Sequence, residues 1–328
     1  MSTGSHDLAG SAGSPGPTVS ELAFIGTGTM GNPMAHQVVN AGHRLRVHDL
    51  APSAVTSLVE AGATACATAA DAANGARIVL LSLPGPGEVR DAVVGVHGIL
   101  SAPRRPAMIV DLSTNSVEVG RELRARCDEV GVAFVDAPVS GGVAKARTGS
   151  LAVMVGAELD EFRVAREVLD VIGDDIFHVG PPGSGTIAKI VNNQLFLAAG
   201  VLVQEAYVLA ASLGVTPADL HAIVSASSAG PYTKLAPLLL GRRFDDVIFR
   251  LDIAAKDVAL AVHTAETAGV DVPLTRAAEA VYRAAVDHGD ATLVFHATLR
   301  ELERRAGIEL EPLRRPSTGS GDRRGGPA

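Results

Sequence analysis

The stretch Glu21-Leu22-Ala23-Phe24-Ile25-Gly26-Thr27-Gly28-Thr29-Met30-Gly31 decides the fold. An apolar strand over 21–25 runs straight into Gly-x-Gly-x-x-Gly, and residues 32–41 then read as a helix that stops at Gly42. A strand, a glycine turn and a helix start in this order make a dinucleotide cradle. Glycines permit the tight turn, the close approach of backbone to a pyrophosphate and close helix–strand packing, while the helix start offers free N–H groups. Gly26, Thr27, Gly28, Thr29, Met30 and Gly31 are therefore candidate cofactor contacts. Asp49 ends the second expected strand, Arg44 to Asp49, where an acid binds the adenosine ribose hydroxyls. Leu50 and Ala51 follow it, with no arginine just after the acid, so NAD is expected over NADP.

Outward from this loop, apolar runs recur at 76–83, 108–112, 132–135, 151–155 and 175–179. Helical stretches at 52–61 and 117–130 separate some of them, and Ser116 is placed to cap the second. This alternation predicts an α/β fold, a Rossmann-type doubly wound and mainly parallel sheet. Ligands of such sheets lie beyond the carboxyl ends of the strands. Three loops fall there: Leu83-Pro84, Ser113-Thr114 and Asp136 to Gly142. The first two read equally well as a strand stop and a helix entry. Ser140-Gly141-Gly142 sets a hydroxyl beside two unobstructed backbone N–H groups, a nest suited to a carboxylate.

After Gly183-Ser184-Gly185-Thr186-Ile187-Ala188-Lys189-Ile190-Val191-Asn192-Asn193 the strand signals vanish. A helix over 186–213, about 42 Å long, lacks a polar face for most of its length and is expected to be buried. Lys189 near its head is costly unless it has chemistry to do. It is the candidate general acid/base, and Asn193, one turn on, is the candidate substrate holder. Further helices are expected at 217–226, 233–240, 252–269, 273–288 and 290–305, with Thr216-Pro217 as a start signal. Four segments result: a disordered leader over 1–19, a nucleotide-binding domain over 20–182, an all-α domain over 183–306 and a disordered tail over 307–328.

The composition narrows the functions. Aromatics are 3% and Trp is absent, so the core must be aliphatic. A net charge of −8 gives a nucleic-acid partner no electrostatic support. Two cysteines, Cys66 and Cys127, argue for a reducing compartment, and a cytoplasmic enzyme is expected. No run reaches 18 apolar residues, and Asn192, Asn193, Gln194, Gln204 and Glu205 flank the richest one, so no membrane span is expected. The leader lacks the apolar core of a signal peptide. Ten histidines show no metal-ligand spacing, so no metal site is expected.

Taken together these motifs resemble the β-hydroxyacid dehydrogenase family, and its 3-hydroxyisobutyrate branch above all. Four match in order: Phe24 to Ala35, Asp136 to Gly142, Gly183 to Asn193, and Lys256-Asp257-Val258-Ala259-Leu260-Ala261. The resemblance covers about 21–305. It implies Lys189 as the catalytic lysine, Ser140, Gly141, Gly142 and Asn193 as substrate contacts, and Leu83, Pro84, Thr114 and Lys256 as cofactor contacts. It also implies a homodimer or homotetramer, which the long apolar helix favours too. The implied reaction interconverts a short 3-hydroxy acid and its semialdehyde. 3-Hydroxyisobutyrate comes first, with 3-hydroxypropionate and tartronate semialdehyde as alternatives. Imine reductases are similar but usually lack the lysine and prefer NADPH. Phosphogluconate dehydrogenases carry a longer helical domain and a phosphate-binding basic cluster. A non-catalytic NAD sensor would have no need of Lys189, Asn193 and Ser140 together. Thr27 and Gln37 depart from the family pattern, and residues 227–232 match its substrate segment only in part.

Overall fold

The apolar runs become one nine-stranded sheet in a computed structural model that describes residues 20–313. The expected leader over 1–19 and the tail beyond 313 lie outside the described residues. The strands are β1 (Glu21–Ile25), β2 (Arg44–His48), β3 (Thr64–Ala65), β4 (Ile78–Leu81), β5 (Met108–Asp111), β6 (Ala133–Asp136), β7 (Val139–Ser140), β8 (Leu151–Gly156) and β9 (Gly173–Gly180). Their order is β3-β2-β1-β4-β5-β6-β8-β7, with β9 also on β8. The first six are mutually parallel; β8 runs antiparallel to β6 and β7. Strand order reverses between β1 and β4, which opens the ligand crevice of a doubly wound sheet beside the glycine loop.

Alternate residues of each strand feed opposite faces. Leu22, Phe24, Leu80, Val110 and Val135 pack on one side with Met34 and Val38 of the first helix, Gly31–Asn40. Ala23, Ile25, Val79, Leu81 and Ile109 pack on the other with Leu123 and Cys127. Ser116 caps Val117–Asp128 through Val119 N–H, and Thr216 caps Pro217–Ser225 through Asp219 N–H, both as their sequence signals predict. Several short elements lack such a signal. Pro84-Gly85-Pro86-Gly87 reads as a strand stop, yet Pro86 also occupies the first turn of a helix, Pro86–Val94, where its missing N–H costs nothing. Helix Leu159–Leu169 starts from Glu158 and Glu161, an unusual pair for a capping box.

The second layer is helical: Ser184–Ser212, Pro217–Ser225, Leu251–Thr267, Pro273–Ala285 and Thr298–Ala306 are its main elements. Two expectations fail here. The last helix begins at Thr298, not near 290, because Gly289 turns left-handed (φ +93°) and Phe295 and His296 fold inward first. Residues 307–313 are not a free tail. Leu310 and Leu313 are buried, and their N–H groups bond Glu303 Oε1 and Leu240 C=O.

The 29-residue helix Ser184–Ser212 is long and apolar enough to cross a membrane by length and composition. In this fold one side of it is core, through Leu197, Val201, Tyr207 and Val208. The expectation of full burial is corrected on the other side: Leu195, Leu202 and Leu209 are 68%, 65% and 63% exposed. Their spacing of seven puts them on one stripe.

His296 tests the helical core. It is buried against Phe244 and Phe295, and neither ring nitrogen has a hydrogen-bond partner among the described residues. Burial pushes its pKa down to about 4, so the unfolded chain takes up the proton first as pH falls below 6.5. The folded state loses stability across that window, by on the order of 2–3 kcal/mol. In urea unfolding, the stability of His296→Phe relative to the wild type should rise by that amount between pH 7.5 and pH 4. A pH-independent difference would show that the ring is not held neutral.

Candidate active site

The glycine loop divides its labour. Gly26 is left-handed (φ +86°), and a Cβ there would overlap Ser82 C=O; one at Gly31 would overlap Gly26 C=O. These two glycines let the loop fold. Gly28 is exposed, and a Cβ on it would meet no protein atom within 4 Å. The open space belongs to whatever docks on the loop, and the residues fit a dinucleotide. Thr27 is buried and donates its N–H to Asp49 Oδ2 at 2.7 Å, while Ala51 N–H holds Oδ1 at 2.8 Å. The carboxylate is thus fixed beside the loop with lone pairs left for hydroxyls. Arg44 is paired with Glu21, and Arg46 donates to the backbone carbonyls of Asp71 and Asn74.

Beyond the strand ends, buried Asp111 orders the next loops. Its carboxylate accepts from Ser113 N–H (3.0 Å) and Asn115 Nδ2 (2.9 Å), and Ser113 Oγ in turn accepts from Leu83 N–H (2.9 Å). Burial pushes the Asp111 pKa up to about 6. Leu83 and Thr114 are half-buried and Pro84 is exposed. Lys256, from helix Leu251–Thr267, reaches across to donate to Thr114 C=O at 3.0 Å. Its stem lies over Gly85, where a Cβ would sit 3.2 Å from Lys256 Cδ.

Lys189 lies half-buried in the second turn of helix Ser184–Ser212. Burial draws its pKa down; the Asp257 carboxylate opposes this and the Lys256 ammonium adds to it. Asp257 is buried, accepts from Asn193 Nδ2 at 2.7 Å and pairs with Lys256 Nζ at 2.9 Å. Asn193 Oδ1 accepts from Asn192 Nδ2 at 3.1 Å. Asn193, read as a substrate holder, is therefore turned toward Asp257 here. Val117, Ile190 and Ala261 form a small apolar contact between the domains, one residue from Lys189.

Ser140 ends β7 half-buried, and Gly141 (φ +132°) and Gly142 (φ +70°) are exposed in conformations that favour glycine. The head of this loop is tied to the lysine helix by a residue not singled out from the sequence. Asp136 is buried, and its carboxylate accepts from Gly183 N–H and Thr186 N–H, both at 2.7 Å. Those partners lie 47 and 50 residues away in the chain, so no local cap pattern reveals them. Gly156 and Gly185 make the notch: a Cβ on Gly156 would lie 2.6 Å from Asp136 Oδ1, and one on Gly185 would overlap Met154 C=O. Among the described residues no group of three or more His, Cys, Asp or Glu side chains is placed to hold a metal ion.

A dinucleotide loop at the switch point of a Rossmann sheet and a lysine-bearing interdomain helix define an NAD(P)-dependent oxidoreductase. Residues 21–180 match the family model of the NAD-binding domain of 6-phosphogluconate dehydrogenase, and residues 183–302 match that of the NAD-binding region of NADP-dependent 3-hydroxyisobutyrate dehydrogenase. The chain is 35% identical over 283 residues to an NAD-dependent L-serine dehydrogenase of Pseudomonas aeruginosa, covering 84% of this chain and 95% of that one. It is 36% identical over 266 residues to a 3-hydroxyisobutyrate dehydrogenase of the same species, covering 78% and 89%. The solved structure of Mycobacterium tuberculosis 3-hydroxyisobutyrate dehydrogenase with L-serine superposes with a TM-score of 0.77 at 31% identity, over 87% of this chain and 99% of that one. The chain belongs to the β-hydroxyacid dehydrogenase family and is an NAD(P)-dependent hydroxyacid dehydrogenase.

Gly28 separates binding from folding. Gly28→Val should leave the urea midpoint near that of the wild type, since the new side chain meets open space, and weaken dinucleotide affinity at least about tenfold. Unchanged affinity by calorimetry would remove Gly28 from the cofactor cradle.

Proposed function

We propose that the protein interconverts a short 3-hydroxy acid and its semialdehyde, with NAD as the preferred cofactor and Lys189 as general acid/base. The observation that carries this reading is Lys189 itself. An amine half-buried at the head of the interdomain helix, its pKa drawn down by burial, gives up its proton more readily than a free lysine. Bound NAD supplies the hydride acceptor for the substrate carbon. Gly26 to Gly31, Asp49, Leu83, Pro84, Thr114 and Lys256 hold it. Lys189 Nζ takes the hydroxyl proton in oxidation and returns it in reduction. Ser140, Gly141 and Gly142 receive the substrate carboxylate. Asn193, one turn on from Lys189, acts at one remove on the substrate hydroxyl by holding Asp257, whose charge bears on the lysine.

3-Hydroxyisobutyrate is the leading substrate. L-Serine, also a 3-hydroxy acid, is the second, favoured by the relative named for it and by the ligand of the superposed structure. NAD is preferred because the Asp49 carboxylate stands where a 2′-phosphate would bring further negative charge, and both nearby arginines are engaged elsewhere. The exposed Leu195, Leu202 and Leu209 stripe supports a homodimer or homotetramer. Free Cys66 and Cys127 fit a reducing, cytoplasmic setting, and neither a membrane nor a nucleic acid is proposed as a partner.

Lys189→Ala should cut turnover by about 10²- to 10⁴-fold and leave the NAD dissociation constant nearly unchanged. In the wild type, oxidation should rise with pH through a limb lying below the 10.5 of a free lysine, because only the neutral amine accepts the proton. Turnover unchanged in the variant, measured with NAD and a panel of 3-hydroxy acids, would refute the role. Steady-state comparison of the two cofactors should give a higher kcat/KM with NAD. A preference for NADP would overturn the reading of Asp49.

A further inference from the structure

We propose that Asp136 is a positioning residue for Lys189, fixing the lysine against the substrate loop through the backbone of the interdomain helix. This rests on the reading of Lys189 as the proton-transfer group. The geometry is specific. Asp136 closes β6 and stands four residues ahead of Ser140, so one residue belongs to the substrate loop. Its two oxygens each take one N–H at 2.7 Å, from the cap residue Gly183 and from Thr186 in the first turn. Thr186 also turns its hydroxyl to the same carboxylate. A two-oxygen clamp sets the rotation of a helix as well as its position. Lys189 follows Thr186 by three residues, less than one turn, and inherits that rotation.

The surroundings leave the clamp little play. Gly156, paired with Asp136 across β6 and β8, and Gly185 pack so closely that side chains on them would strike the carboxylate or the strand backbone. The helix thus meets the sheet in one place. Elsewhere near Lys189 the domains touch through Val117, Ile190 and Ala261, a non-directional contact, and through Lys256 on Thr114. Neither prescribes where the lysine amine points. The charged groups that act on the amine are Asp257 and Lys256 from helix Leu251–Thr267; Asp111 and Asp136 are buried at the strand ends, engaged with their own donors. Glu118 and His263 pair with each other at the rim.

The test compares Asp136→Asn and Asp136→Ser with the wild type and Lys189→Ala, using the hydroxy acid that the wild type oxidises with NAD. Asparagine keeps one acceptor oxygen and sets its NH2 against the second N–H; serine gives up both oxygens. Both should lower kcat by at least about tenfold, as displacement of a reacting group by about 1 Å does. Serine should cost more than asparagine. The NAD dissociation constant should stay within about threefold, because the cofactor loops lie on other strands. The limb through which kcat of oxidation rises with pH should move up toward 10.5 as the freed lysine finds water, a shift that a general loss of stability does not produce. Thr186→Val should move kcat and the limb the same way by a smaller amount, and Thr186→Ser should restore them, so the proposal stands or falls even if the Asp136 variants do not fold. A kcat within twofold of wild type, or a fall in kcat with an unmoved limb, overturns it. If Lys189→Ala retains full turnover, the parent reading falls. If Lys189→Ala is inactive while the Asp136 and Thr186 variants behave as wild type, this inference alone is wrong.

Discussion

Where β6 ends, the Asp136 carboxylate accepts hydrogen bonds from Gly183 and Thr186, and a 29-residue helix leaves the sheet at the angle these bonds prescribe. A carboxylate at a helix N-terminus meets both the unsatisfied N–H groups and the positive end of the helix dipole. Bonds to a charged acceptor are worth about 1.5–3 kcal/mol each. Burial works against them, and on balance the Asp136 pKa is raised. Much of the gain is therefore spent on desolvation, and the contact supplies direction more than stability. The helical domain, which carries no strand of the sheet, is oriented by it.

The same economy of buried charge runs through the rest of the site. Asp111 sits beside Asp136 in the register of β5 and β6 and arranges the loops at Leu83 and Thr114. Asp257 sits between Asn193 and Lys256, and Lys256 spans the cleft to Thr114. Each carboxylate is held by two donors, which is what keeps a buried charge tolerable. Lys189 differs. Its amine faces opposing influences from Asp257 and Lys256, and burial, the largest influence, lowers its pKa. That is the direction the proposed proton-transfer role requires.

The long helix answers two demands with two faces. Leu197, Val201 and Tyr207 close the helical core, while Leu195, Leu202 and Leu209 stay in solvent within a single chain. A helix that is apolar all round is expected to be covered on every side, and this chain covers only part of it. The exposed stripe is the physical basis for the proposed oligomer, and it explains why reading full burial from composition went too far.

The sequence by itself determined the α/β class, the glycine loop, Asp49 at the end of β2, and Lys189 at the head of an apolar helix. These signals are local: a strand running into Gly-x-Gly-x-x-Gly, a period of two changing to 3.6, a charge where none is cheap. It also carried the family resemblance, because four motifs keep their order along the chain. Short elements such as Pro86–Val94 and Leu159–Leu169 were hidden by proline and glutamate in ambiguous roles, and Leu310 and Leu313 were hidden in a stretch of tail-like composition. Only the tertiary structure decided that Asp136 caps a helix some fifty residues away, that Asn193 turns to Asp257, and that Lys256 crosses to Thr114. The physical reason is common to all three. Each is a contact between groups distant in the chain, made directional by a hydrogen bond, and neither composition nor periodicity records which distant donor a buried carboxylate or carbonyl will find.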